Sequence, residues 1–141
     1  MAAFNKFDAF VEALAEKVHN LGSDTLKVYL TNATPSASTN AVKADLAEIS
    51  AGNGYTAGGN TAAITSSTQT GGLYKLVLAD PTSWSATGGS IGPFRYAVLY
   101  NSTTVSGNLI GWWDYGTSIT LGAGDTFTVD FDPTTGVLTL Q

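Results

Sequence analysis

A chain of 141 residues with no cysteine must hold together by packing alone, because disulfides and thiolate metal sites are closed to it. Only 12% of the residues are charged, and the six basic side chains, scattered against a net charge of −5, form no stripe that would neutralise phosphates, which argues against direct nucleic-acid binding. No apolar run approaches the roughly 20 residues that span a bilayer, and the spaced apolar residues of the N-terminus lack the core of a signal peptide; a chain made in a cytoplasm, with no membrane partner, is expected.

Residues 1–22 read as an amphipathic helix. Phe7, Phe10, Val11, Leu14, Val18 and Leu21 recur at the three-and-four spacing of one helical face, and Phe4 extends the stripe. Asn5 is placed as the N-cap and Gly22 as the left-handed stop. The apolar stripe has two possible partners, the chain's own sheet or a neighbouring subunit.

Residues 23–141 read as one β-domain. Thr25–Thr31 alternates, with Leu26, Val28 and Leu30 on the buried side and Lys27, Tyr29 and Thr31 on the other. Asn32–Asn40 is a loop, and Val42–Ile49 is a short helix or irregular. Ser50–Gly59 is glycine punctuation around Tyr55, and Thr61–Thr68 is a weak, polar edge strand. Further strands are expected at Leu73–Ala79, Thr82–Ala86, Ile91–Tyr100, Leu109–Tyr115 and Ser118–Leu121. Ile91–Tyr100 is the most apolar run and is placed centrally. Thr126–Phe131 and Val137–Leu140 are expected to form a closing hairpin through Asp132-Pro133-Thr134-Thr135-Gly136. The pattern predicts a mainly β fold, an antiparallel β-sandwich of jelly-roll-like kind with an N-terminal amphipathic α-helix.

Chemistry is hard to place on this chain. His19 is the sole histidine and lies late in the predicted helix, with no nucleophile set against it. Asp130 and Asp132 are two apart, but Asp132-Pro133 is a turn signature. No catalytic, metal-binding or cofactor residue is assigned. Attention falls on Trp84, Trp112 and Trp113. The adjacent Trp112 and Trp113 must face opposite sides of a strand, one toward the core and the other under a loop, at an interface or on a sugar-stacking platform. Arg95, inside an apolar strand, needs either an intramolecular carboxylate or a partly exposed interface position. Phe4, Phe7, Tyr55, Trp84, Arg95, Trp112 and Trp113 are the candidate interface residues.

An ordered set of motifs carries a resemblance. It runs Leu26-Lys27-Val28-Tyr29-Leu30-Thr31, then Glu48-Ile49 with Gly52-Asn53-Gly54-Tyr55-Thr56-Ala57-Gly58-Gly59, then Phe94-Arg95-Tyr96-Ala97-Val98-Leu99-Tyr100-Asn101. It continues through Leu109-Ile110-Gly111-Trp112-Trp113-Asp114-Tyr115-Gly116 and Phe127-Thr128-Val129-Asp130-Phe131 to Gly136-Val137-Leu138-Thr139-Leu140. The set resembles small virion proteins of tailed bacteriophages. The resemblance implies a capsid decoration or cement protein, synthesised in the host cytoplasm and ending on the capsid surface. Its implied partners are the major capsid protein and further copies of itself, as a dimer or trimer. A carbohydrate-binding or host-adhesion module on a tail or head fibre is the other reading open at this point, motivated by the Trp and Tyr content.

Overall fold

The computed structural model describes residues 2–141. The fold is mainly β, with antiparallel sheets and one short helix. Its elements are β1 (Asn5–Lys6), α1 (Asp8–Ala15), β2 (Leu26–Thr31), β3 (Asn60–Thr61), β4 (Ile64–Thr70), β5 (Leu73–Leu78), β6 (Trp84–Ser85), β7 (Ile91–Asn101), β8 (Leu109–Leu121), β9 (Thr126–Phe127) and β10 (Leu138–Leu140). A five-stranded sheet has the order β1-β8-β7-β2-β3, a three-stranded sheet β10-β5-β4, and β6 pairs with β9. As the apolar run predicts, β7 is central, and β4 lies at an edge.

The five-stranded sheet is buried on both faces. On one, Leu26, Val28, Leu30, Ala97, Leu99 and Ile110 share a core with Leu76, Leu78 and Leu138 of the smaller sheet. On the other, Tyr29, Val98, Tyr100 and Leu109 pack with Phe7 and Leu46. The expected solvated face of β2 is therefore wrong: Tyr29 and Thr31 are fully buried. The cover is the segment around the Lys43–Asp45 turn, held by main-chain bonds Lys43 N–H to Gly107 O (2.9 Å), Leu109 N–H to Ala41 O (2.9 Å) and Ile49 N–H to Leu30 O (3.1 Å). Strand periodicity reports the sheet's own pleat and says nothing about what a loop lays over it.

The N-terminal helix is shorter than its apolar stripe predicts. Asn5 is not an N-cap but part of β1, opposite Trp112, and Phe7 occupies the cap position. The helix ends at Ala15, not at Gly22. Lys17 takes the left-handed conformation (φ 67°), with Lys17 N–H bonded to Leu14 O and Val18 N–H to Ala13 O. That is a Schellman closure with lysine where glycine is usual. The chain then turns inward, burying Leu21 while Val11 and Val18 stay exposed. Phe10 packs in the chain's own main core, so the helix docks in cis.

The expected closing hairpin does not form. Trp84 pairs with Phe127 and Ser85 with Thr126, whereas Leu138–Leu140 pairs with β5. Residues 128–137 instead run as an irregular segment whose Phe131 and Val137 enter the main core. The two strands expected at Leu109–Tyr115 and Ser118–Leu121 are one strand with a wide bulge. Tyr96 opposes Asp114 and Phe94 opposes Ile119, so Tyr115–Ser118 are displaced outward, and Gly116 turns at φ 99°.

Candidate docking site

Beside the bulge in β8, a pocket of about 340 Å³ lies between the five-stranded sheet and the irregular segment. Its floor comes from Ala97 and Trp113, its walls from Phe4, Tyr115, Phe127 and Phe131. Ring contacts fix this shape. Trp113 lies 5.3 Å from Phe4 and 5.2 Å from Phe131, and Tyr115 meets Phe127 edge-on at 5.8 Å. The volume falls within the roughly 300–1,000 Å³ range of ligand pockets, and the lining is mostly apolar with a few polar groups, as in such sites.

The polar rim is organised around Arg95. Its Nε donates to Asp114 Oδ1 at 2.7 Å and a terminal nitrogen donates to Oδ2 at 2.9 Å, a two-pronged pair across β7 and β8. The guanidinium, with the Gly116 N–H bonded to Oδ1, holds the Asp114 carboxyl below the usual carboxylate range. Asp132 accepts from the Thr134 and Thr135 amides at 2.7 and 3.2 Å, which also lowers its pKa and makes it the turn residue its sequence suggests. Asp130 is exposed on the same rim and, among the described residues, takes part in no salt bridge. With Arg95 matched by Asp114, the described rim side chains carry excess negative charge. Among the described residues no three His, Asp or Glu side chains gather to hold a metal ion.

The seven candidate interface residues separate into three places. Phe4, Arg95 and Trp113 meet at this pocket. Trp112, on the opposite face of β8, meets Phe7 in a tilted contact at 4.5 Å beside the second core, so the two tryptophans do divide across the sheet. Phe7, Tyr55 and Trp84, at 0, 3 and 1% exposure, are interior residues and offer no contact surface. Arg95 makes the intramolecular pair with Asp114 and stays partly exposed at the pocket rim. Sequence reasoning missed Tyr115, Phe127 and Phe131 as pocket walls. The alternation Phe127, Val129, Phe131 is the signal for the last two, but it reads as one strand, of which only Thr126–Phe127 forms.

His19 lies outside the pocket, buried beyond the end of α1. Its Nδ1 is 3.1 Å from the Asn101 amide nitrogen, which also donates to Asp24 Oδ2 at 2.6 Å. Asn101 is therefore the donor, Nδ1 the acceptor, and the ring proton sits on Nε2. Burial lowers the His19 pKa from its ordinary 6.5, with Asp24 opposing. A depressed folded-state pKa means that the unfolded chain binds the proton first, so this contribution is complete above pH 6.5 and is lost as pH falls through the folded value. Urea titrations should show stability falling as the pH drops from about 7 to about 5. Replacing His19 with Leu should flatten that slope; an unchanged slope would remove His19 as its cause. The carboxylates of Asp45, Asp114 and Asp132, all held below their ordinary 3.8, titrate at lower pH and leave this window clear.

No helix among the described residues is long and apolar enough to cross a membrane. Comparison with family models, curated proteins and solved structures finds no match to this chain.

Proposed function

We propose that this chain is a virion structural protein of tailed-phage type, a decoration or cement protein that binds the outer surface of the capsid and stabilises it without catalysis. Its scaffold is read as a β-sandwich of jelly-roll-like kind, the five- and three-stranded sheets facing each other across the main core. The observation that carries the docking role is the aromatic pocket, with its walls set by ring contacts and its one arginine matched by Asp114. The phage assignment is supported by the resemblance. The motifs that carry it coincide with β2, the Glu48–Gly59 loop, β7 and the first half of β8, the parts that set the fold.

An apolar side chain of the major capsid protein, flanked by lysine or arginine, would fill the pocket and answer the acidic rim. Seating one large apolar anchor contributes about 1.5–3 kcal/mol, and binding only the assembled shell stabilises that shell by mass action. Particles lacking this protein should lose heat resistance and regain it when the purified chain is added back. Tyr115→Ala and Trp113→Ala should each weaken rebinding about tenfold or more, while Val105→Ser, on an exposed loop outside the pocket lining, should leave it unchanged. Absence of the protein from purified virions would end this reading.

A second reading, glycan adhesion, is favoured by one observation. Tyr115 is 55% exposed beside Trp113 and the Arg95–Asp114 pair, a stacking surface next to hydrogen-bonding groups. Glycan-array binding abolished by Trp113→Ala would move the pocket to that role.

A further inference from the structure

β4 is the longest outermost strand of any sheet among the described residues, and the outer edge of β8 beyond Trp112, the other long stretch without a partner strand, is broken by the Tyr115–Ser118 bulge. The outer strands of the five-stranded sheet, β1 and β3, have two residues each, and β10 has three, whereas β4 has seven. Its backbone orientation follows from its neighbours. Val137 N–H bonds to Leu76 O at 2.8 Å, so Leu76 addresses β10, and Leu73, Lys75 and Val77 address β4. By register, Thr70, Thr68 and Ser66 bond back to β5. Ser67 and Gln69 therefore aim their N–H and C=O groups away from the sheet, and no other described segment makes a main-chain bond to them.

Exposed edges are normally blunted by lysine, proline, shortness or a bulge. Ile64-Thr65-Ser66-Ser67-Thr68-Gln69-Thr70 contains no charge and no proline, and its irregularity lies between Ile64 and Ser66, before the open groups. Copies of a chain with net charge −5 repel one another, and an uncharged strand is where they can approach at least electrostatic cost. The spacing is also self-complementary. If a twofold axis passes through Thr68, Ser67 of one copy falls opposite Gln69 of the other as a hydrogen-bonded pair, twice over.

We propose that β4 pairs antiparallel with β4 of a second copy about a twofold axis at Thr68. Four main-chain hydrogen bonds join Ser67 and Gln69 to their counterparts. The two Thr68 side chains face each other at the axis, with Cβ atoms about 4.5–5.5 Å apart, the spacing at which Thr–Thr pairs interact. The two three-stranded sheets become one of six strands. Because each copy uses the same edge, the pairing closes at two and does not propagate into fibres.

Sedimentation equilibrium tests this directly. The wild-type chain should be a dimer. Thr68→Glu and Thr68→Lys should each be monomeric, since like charges then meet at the axis, and an equimolar mixture of the two should recover a dimer. That recovery also shows that both variants fold. Ser67→Pro, which removes an outward N–H and, within the chain, only the Ser67 Oγ–Tyr74 hydroxyl bond (2.9 Å), should be monomeric while still melting cooperatively. A wild-type chain still monomeric at about 1 mM, a trimer, or a dimer indifferent to these substitutions would overturn the proposal.

Discussion

Gly59→Ala should cost at least about 4 kcal/mol, a large share of the roughly 5–15 kcal/mol that holds a domain of this size. Gly59 has φ +70°, and a Cβ built there would lie 1.9 Å from Val28 O and 2.7 Å from Tyr29 Cα. These are main-chain atoms of β2, a strand bonded on both sides, to β7 and to β3, and they have nowhere to go. The loop would have to lift, and three attachments would lift with it: Val28 opposite Asn60, Tyr100 OH to Gly58 O at 2.8 Å, and Gly58 N–H to Glu48 Oε1 at 2.6 Å. Gly88 supplies the control. Its φ is +73°, yet nothing lies within 4 Å of the added Cβ. Gly88→Ala should therefore cost only the left-handed conformational penalty, about 1 kcal/mol. Thermal melts should separate the two variants by about 10 °C. Equal melting temperatures would mean that the close approach to β2 is not what confines position 59 to glycine.

The same loop shows what could and could not be seen in advance. Glycine punctuation around Tyr55 is legible from Gly52-Asn53-Gly54 and Gly58-Gly59, because glycines mark backbone that other residues resist adopting. That Tyr55 is a core residue is not legible, since its destination is set by β2 rather than by its own neighbours in sequence. The long strands β2, β5 and β7 are read well because their apolar runs are long. Phe127, Val129 and Phe131 alternate as a strand would, yet only Thr126 and Phe127 find a partner, and the rest of the segment satisfies itself through contacts such as Phe131 N–H to Asp80 Oδ1 at 2.7 Å. Alternation records which side chains are buried; pairing depends on which strand edge is free. The candidate site divides the same way. Arg95 stands out as a charge in an apolar run, but Asp114, its partner 19 residues on, sits opposite Tyr96 at the start of the β8 bulge, which has no signature beyond Gly116.

Glu48→Ala should destabilise the chain by about 3 kcal/mol. Its Oε1 accepts from Tyr55 OH at 2.7 Å and from Gly58 N–H, and its Oε2 pairs with Lys43 Nζ at 2.5 Å. Tyr55 OH in turn accepts from Leu30 N–H at 3.0 Å, so a single carboxylate ties the loop to β2 through a buried phenol. Burial first, then the Glu48 hydrogen bond, pushes the Tyr55 hydroxyl above its ordinary range, keeping it a donor at all physiological pH. Lys43, 4.9 Å from the Tyr29 ring centroid and 5.8 Å from that of Tyr100, lays its charge over the second core and is matched there only by Glu48. Removing the carboxylate thus strands a phenol, an amide and an ammonium together, whereas Glu48→Gln keeps an acceptor for the first two and should cost about half as much. Tyr55→Phe should cost about 1–3 kcal/mol. If the two side chains act as one lock, the double variant Glu48→Ala/Tyr55→Phe will fall short of the summed single losses by about 1 kcal/mol or more. Strict additivity in urea unfolding would show that they stabilise the fold separately, and the loop would then be held chiefly by the fit of Gly59 against β2.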